Sequence, residues 1–150
     1  MTQQKIHGTI LAFDFGSHFI GVAVGQTVTD TASALDHLTT KDGGPPWEQI
    51  EALIKQWQPQ LVVVGLPLNM DGSESEMSQR ARRFGNRVNG RYGVAVHCQD
   101  ERLSSYEAKS RQPVNSSKRR RGGDIDSIAA MVILEHWFQE HANEQAPASR

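Results

Sequence analysis

Apolar residues fall along this chain in two rhythms. Thr9 to Asp14 and His18 to Val24 are short runs separated by a tight turn at Gly16, and they read as two strands of a hairpin. Ala32 to Leu38 supplies a third antiparallel neighbour, so the N-terminal part is a meander. Leu61-Val-Val-Val-Gly65 has no polar alternation and is bounded by turn residues, the pattern of a strand buried on both faces. Val94 to Cys98 adds a fifth short strand.

Between and after these strands the rhythm becomes helical. Trp47, Ile50, Ile54 and Trp57 share one apolar face, with the loop Asp42-Gly-Gly-Pro-Pro46 before them and Pro59 ending the helix. Both Trp residues read as core. A second helix is expected from about Glu74 to Val88, with Arg80, Arg83 and Arg87 recurring on one side. Ser104 or Ser105 can cap a short helix, with Glu107 placed to help. Gln112 to Gly123 reads as a mobile loop. The last helix begins near Asp124 or Ile125 and carries Ile128, Ala129, Val132, Ile133 and Trp137 on a strong apolar face.

Strands followed by alternating strands and helices predict an α/β fold, a mixed sheet with helices packed on it. At 150 residues the chain is most simply one domain, expected over residues 1–140, with a polar, flexible tail over 141–150. A charged fraction of 22% and the absence of any long apolar stretch point away from a membrane protein. The N-terminal residues lack the apolar core of a signal peptide, and the single Cys98 forms no internal disulfide, so the cytoplasm is the expected location.

A formal net charge of −1 conceals a strong segregation. Between Met77 and Arg121 twelve Lys or Arg residues face only three acids, which favours a polyanionic partner. Asp14 is the other anomaly. It lies between Phe13 and Phe15, where an ionised carboxylate loses solvation unless a cation or several donors compensate it. Groups at the carboxyl ends of parallel strands converge on one crevice, and Glu101 and Asp126 are the other acids placed for it. For Asp126 helix capping is an alternative use.

Four motifs in order, Leu11-Ala-Phe-Asp-Phe-Gly-Ser-His-Phe-Ile-Gly-Val-Ala-Val-Gly25, Val64-Gly-Leu-Pro-Leu-Asn-Met-Asp-Gly72, Asp100-Glu-Arg-Leu-Ser-Ser105 and Ile125-Asp-Ser-Ile-Ala-Ala130, resemble the YqgF family, also called RuvX. The resemblance covers about residues 8 to 140. It implies an RNase H-like fold: a mixed five-stranded sheet, antiparallel in the N-terminal meander and parallel afterwards, with helices on both faces. It implies a nuclease described both for processing the 5′ end of pre-16S rRNA and for resolving Holliday junctions. Carried onto matching positions, it makes Asp14, Glu101 and Asp126 the catalytic and metal-holding acids. One departure is visible: many members carry a Lys-Arg pair in the first hairpin where this chain has His18-Phe19.

The chemistry that follows is that of gathered carboxylates. They repel one another unless a divalent cation is shared, and hard oxygen ligands suit Mg²⁺ or Mn²⁺. Two such ions could activate a water and stabilise the leaving oxygen of a phosphodiester. Asn69, in the loop before the second helix, is a candidate phosphate donor, and the N-H groups of that helix can hold an anion. Arg80, Arg83, Arg87, Arg102, Lys118, Arg119, Arg120 and Arg121 are the candidates to hold the nucleic-acid backbone. Precursor rRNA is the preferred partner and branched DNA the alternative. The chain is expected to act as a monomer or, for paired cuts in a junction, as a homodimer. A binding factor without cleavage would use the same basic segments; only the acids favour catalysis. A phosphotransferase of the sugar-kinase type needs two lobes, and the chain is too short for them.

Overall fold

A computed structural model describes residues 8–42, 44–101 and 122–145. Eight elements are described in chain order: β1 (Thr9–Phe15), β2 (Phe19–Gln26), β3 (Thr31–Thr39), α1 (Trp47–Trp57), β4 (Leu61–Leu66), α2 (Glu76–Tyr92), β5 (Ala95–Asp100) and α3 (Gly122–Gln145). The strands form one sheet in the order β3-β2-β1-β4-β5. Neighbours in the meander are antiparallel, whereas β1, β4 and β5 run parallel. The mixed five-stranded α/β architecture is the one expected, with small differences at the ends. Helix α2 starts two residues later than Glu74 and continues to Tyr92. Helix α3 runs to Gln145, so the polar stretch expected to begin at 141 is helical for its first five residues. The short helix at Ser104 or Ser105 and the loop between 112 and 121 lie outside the described residues.

Period-two alternation divides the apolar side chains between two cores. Leu11, Phe13 and Phe15 of β1 join Ile20, Val22, Val62 and Val64 in a layer against α1 and α2. Trp47, Ile54 and Trp57 pack on that layer and Ile50 is buried in it, as the helical spacing predicts. Ile10 and Ala12 point the other way, with Ala23, Leu61 and Val63, against Ala130, Ile133, Leu134, Trp137 and Phe138 of α3. Helices therefore cover both faces. Each large aliphatic side chain buried here contributes about 1.5–3 kcal/mol, so α3, which brings Ile133 and Leu134 at 0% exposure, is held firmly to the sheet.

Strand β3 departs from simple pairing. Ile20 opposes Leu38, yet Val22 opposes Leu35, so Asp36 and His37 together face Gly21. This is a β-bulge, and it explains why Leu35 and Leu38, three residues apart, both reach the α1/α2 core.

Candidate active site

The alternation that sends Phe13 and Phe15 towards α2 sends Asp14 to the α3 face, at the carboxyl end of β1. Its register partner is Gly21 of β2. A Cβ at Gly21 would overlap the backbone carbonyl of Asp126 and come within 2.7 Å of the Ser127 nitrogen. Glycine is therefore what lets the first described turn of α3 lie directly on β2. The bulge opposite contributes as well: the Val22 N-H donates to the buried Ser127 hydroxyl at 3.1 Å. Two contacts thus clamp the start of α3 on the strand paired with Asp14, and Asp126 arrives beside it.

Glu101 comes from the far side of the sheet. It follows β5 directly, and its N-H donates to the Leu66 carbonyl at the end of β4 at 3.1 Å. Its side chain folds back over Gly65, where a Cβ would stand 2.8 Å from the Glu101 Cγ. At 6% exposure Glu101 is the one buried charged residue among the described residues.

Asp14 feels the other two carboxylates. Asp14 is held well above the ordinary aspartate range, first by burial, then by the negative charges of Glu101 and Asp126. Asp126 is pushed up to about 6 by burial, against a pull from His37. Sequence reasoning did not identify His37, because its approach to Asp126 depends on the bulge, which leaves no signal in the apolar pattern. Among the described residues, however, no three His, Cys, Asp or Glu side chains are grouped closely enough to hold a metal ion. Asp14, Glu101 and Asp126 therefore form no closed cage by themselves. The donor chemistry nevertheless fits Mg²⁺, which takes one or two carboxylates and completes its shell with waters and substrate phosphates. Asp14 and its acidic neighbours are such donors.

The loop from Leu66 to Ser75 behaves differently from its sequence reading. The Asn69 side-chain amide donates to the Ser73 hydroxyl at 3.0 Å and to the Glu74 carbonyl at 3.3 Å, so in this conformation its donors serve the loop. Ser75 caps α2, accepting from the Ser78 N-H at 3.0 Å while the Ser78 hydroxyl accepts from the Ser75 N-H at 2.8 Å. Glu74 adds a negative charge there. The capping box thus takes up the Ser78 N-H at the N-terminus of α2, and the charge of Glu74 beside it disfavours a second anion there.

The arginines of α2 divide by partner. Arg82 forms an ion pair with Glu74 at 2.7 Å. Arg80, Arg83 and Arg87 instead line a depression with Phe15, Phe84, Gly44 and Pro45 on the α1/α2 side. Arg80 stacks over the Phe15 ring, 5.7 Å from its centre. Arg91 lies farther along, 4.0 Å above Trp47. Arg102, Lys118, Arg119, Arg120 and Arg121 lie outside the described residues.

Comparison with known proteins gives a consistent picture. A family model described as "RuvX: Holliday junction resolvase" matches residues 8–140. Relatives in Yersinia pestis and Yersinia pseudotuberculosis, each named "Putative pre-16S rRNA nuclease", are 55% identical over 135 residues, spanning 89% of this chain and 96% of their own length. Among solved structures, Thermus thermophilus RuvC bound to a Holliday junction aligns over 92% of this chain and 96% of its own, with a TM-score of 0.52 and 16% identity. The fowlpox virus resolvase in complex with junction DNA aligns over 89% and 98%, with a TM-score of 0.55 and 11% identity. These two likenesses carry the fold.

Proposed function

Because the chain belongs to the RuvX family, we propose that it is a metal-dependent endonuclease, a hydrolase of phosphodiester bonds that trims the 5′ end of precursor 16S rRNA during ribosome biogenesis in the cytoplasm. The observation that carries this reading is that Asp14, at the carboxyl end of β1, feels the negative charges of Glu101 and Asp126 from two other elements, so that together with burial they hold its carboxyl well above the ordinary aspartate range. Charge of one sign gathered beside a polyanion is unfavourable unless a cation intervenes. The names of relatives 55% identical to the chain support the RNA substrate.

Asp14, Glu101 and Asp126 would hold Mg²⁺ or Mn²⁺, which supplies a Lewis acid and lowers the pKa of an attacking water. Asp14 presents its carboxyl group from the end of β1, on the face that α3 covers. Asp126 approaches from α3, fixed by the Ser127 bond to Val22. Glu101 is buried beside Gly65, which holds its side chain in place. Arg80, Arg83 and Arg87 hold the strand by charge, with Arg102 and the run Lys118 to Arg121 as further contacts. Such binding falls steeply with salt and reads little sequence.

The test is cleavage of a labelled rRNA precursor fragment and of a four-way DNA junction, each with Mg²⁺ or Mn²⁺, alongside the solution mass of the protein. A monomer that trims the RNA fits the reading. A dimer making paired cuts in the junction alone would replace the RNA substrate with branched DNA. Wild-type cutting by Asp14→Asn would remove the assigned mechanism.

A further inference from the structure

We infer that the depression between α1 and α2 is a phosphate socket that holds one phosphate of the substrate strand at a fixed offset from the scissile bond, so that the strand crosses the carboxyl edge of the sheet from one face to the other. The inference rests on the nuclease reading and adds a register to it. Asp14 and Phe15 are consecutive on β1, and consecutive side chains of a strand point to opposite faces. Asp14 faces the acids. Phe15 forms a wall of the depression, which Arg80, Arg83 and Arg87 also line.

Its concave apolar walls separate this place from a merely basic surface. It has about 150 Å³ of space for water, walled by Phe15, Phe84 and Pro45. Phe15 and Phe84 are anchored in the core at 8% and 2% exposure, and their rings lie 5.1 Å apart. Arg80 is preorganised by its stacking on Phe15. Among the described residues no ion pair neutralises these three guanidinium groups, whereas Arg82 on the same helix is paired with Glu74. Planar forks that line one depression suit a phosphate, whose oxygens can accept two bonds from a single fork. Because β1 ties the socket to Asp14 by a single peptide unit, the distance between the held phosphate and the cut is built into the strand. The group held can be an internal phosphodiester or a terminal 5′ phosphate, which share this chemistry.

The test is binding of metal-free protein to a set of single-stranded RNAs, each with one methylphosphonate replacing an internal phosphate, and to the same strand with a 5′ phosphate or a 5′ hydroxyl. One modified position is expected to weaken binding about 10-fold or more, as loss of a charge-assisted bond does, while its neighbours change little. A loss confined to the 5′-hydroxyl strand identifies a terminal phosphate instead. In the Arg83→Ala, Arg87→Ala double variant the unmodified strand binds as weakly and the positional effect disappears. Lysines at both positions restore charge without the fork and recover only part of it. Uniform weakening at every position, or a positional effect that survives in the double variant, overturns the socket. Cleavage is scored separately on the same strands: a positional effect without cutting under any metal leaves the socket and removes the nuclease reading.

Discussion

The two faces of the sheet treat charge in opposite ways. On the α3 side Asp14 lies in reach of the charges of Glu101 and Asp126, and burial together with those charges holds it well above the normal aspartate range. On the α1/α2 side an apolar core ends in a rim of three arginines that remain half or fully exposed. The acids are destabilised where they stand; the arginines keep their hydration. Such strain persists only where surrounding structure overdetermines it, and it belongs with chemistry, whereas a hydrated cationic rim belongs with holding a polyanion.

Several substitutions would break or sharpen that contrast. Neutralising either partner of Asp14, as Glu101→Gln or Asp126→Asn, should lower single-turnover cleavage by about 10²-fold or more. The double variant should be little worse than the singles, since groups acting as a unit are not additive. Gly21→Ala should act through position rather than charge. Its Cβ meets the Asp126 backbone, so α3 must shift, at about 1–3 kcal/mol of stability in urea unfolding and with much of the activity. Ser127→Ala leaves the buried Val22 N-H without its acceptor and should cost about 1–3 kcal/mol, towards the lower end if a water replaces the hydroxyl.

A pH scan addresses the acids without mutation. Asp126 keeps its proton in the native protein up to about pH 6, against 3.8 for an ordinary aspartate. The folded state therefore binds more protons than the unfolded chain across that window, and the metal-free protein loses stability as pH rises through it. Asp14 is raised by the same causes and adds to the loss. The melting temperature should fall by a few degrees between pH 4 and 7, and Asp14→Asn should flatten the fall. The smallest effect belongs to the other face: Arg83→Ala should leave melting unchanged and reduce the slope of log K against log salt by about 0.7 on single strands.

Much of this was legible in the sequence. The meander and the buried strand Leu61 to Val64 were readable from the apolar pattern, and the helical spacing of Trp47, Ile50, Ile54 and Trp57 identified core residues. Asp14 stood out because an acid between two phenylalanines needs an explanation. Features set by three-dimensional packing were not legible. The bulge at Asp36 and His37 depends on which residues oppose Gly21, and the tightness of Gly21 and Gly65 depends on what α3 and Glu101 bring to them. For Asn69 the loop residues were visible but their hydrogen bonding to one another was not. Donors spent within a loop look the same in sequence as donors offered to a phosphate.

The division of labour between the faces is tested most directly by measuring strand affinity and the single-turnover rate at saturating protein on one labelled rRNA precursor fragment, for Asp14→Asn and for Arg83→Ala, Arg87→Ala. The acid variant should bind as tightly as the wild type or more tightly and cut about 10²-fold or more slowly; the arginine variant should bind more weakly yet, once saturated, cut at close to the wild-type rate. Cutting at the wild-type rate by Asp14→Asn, or loss of affinity rather than rate, would contradict the account.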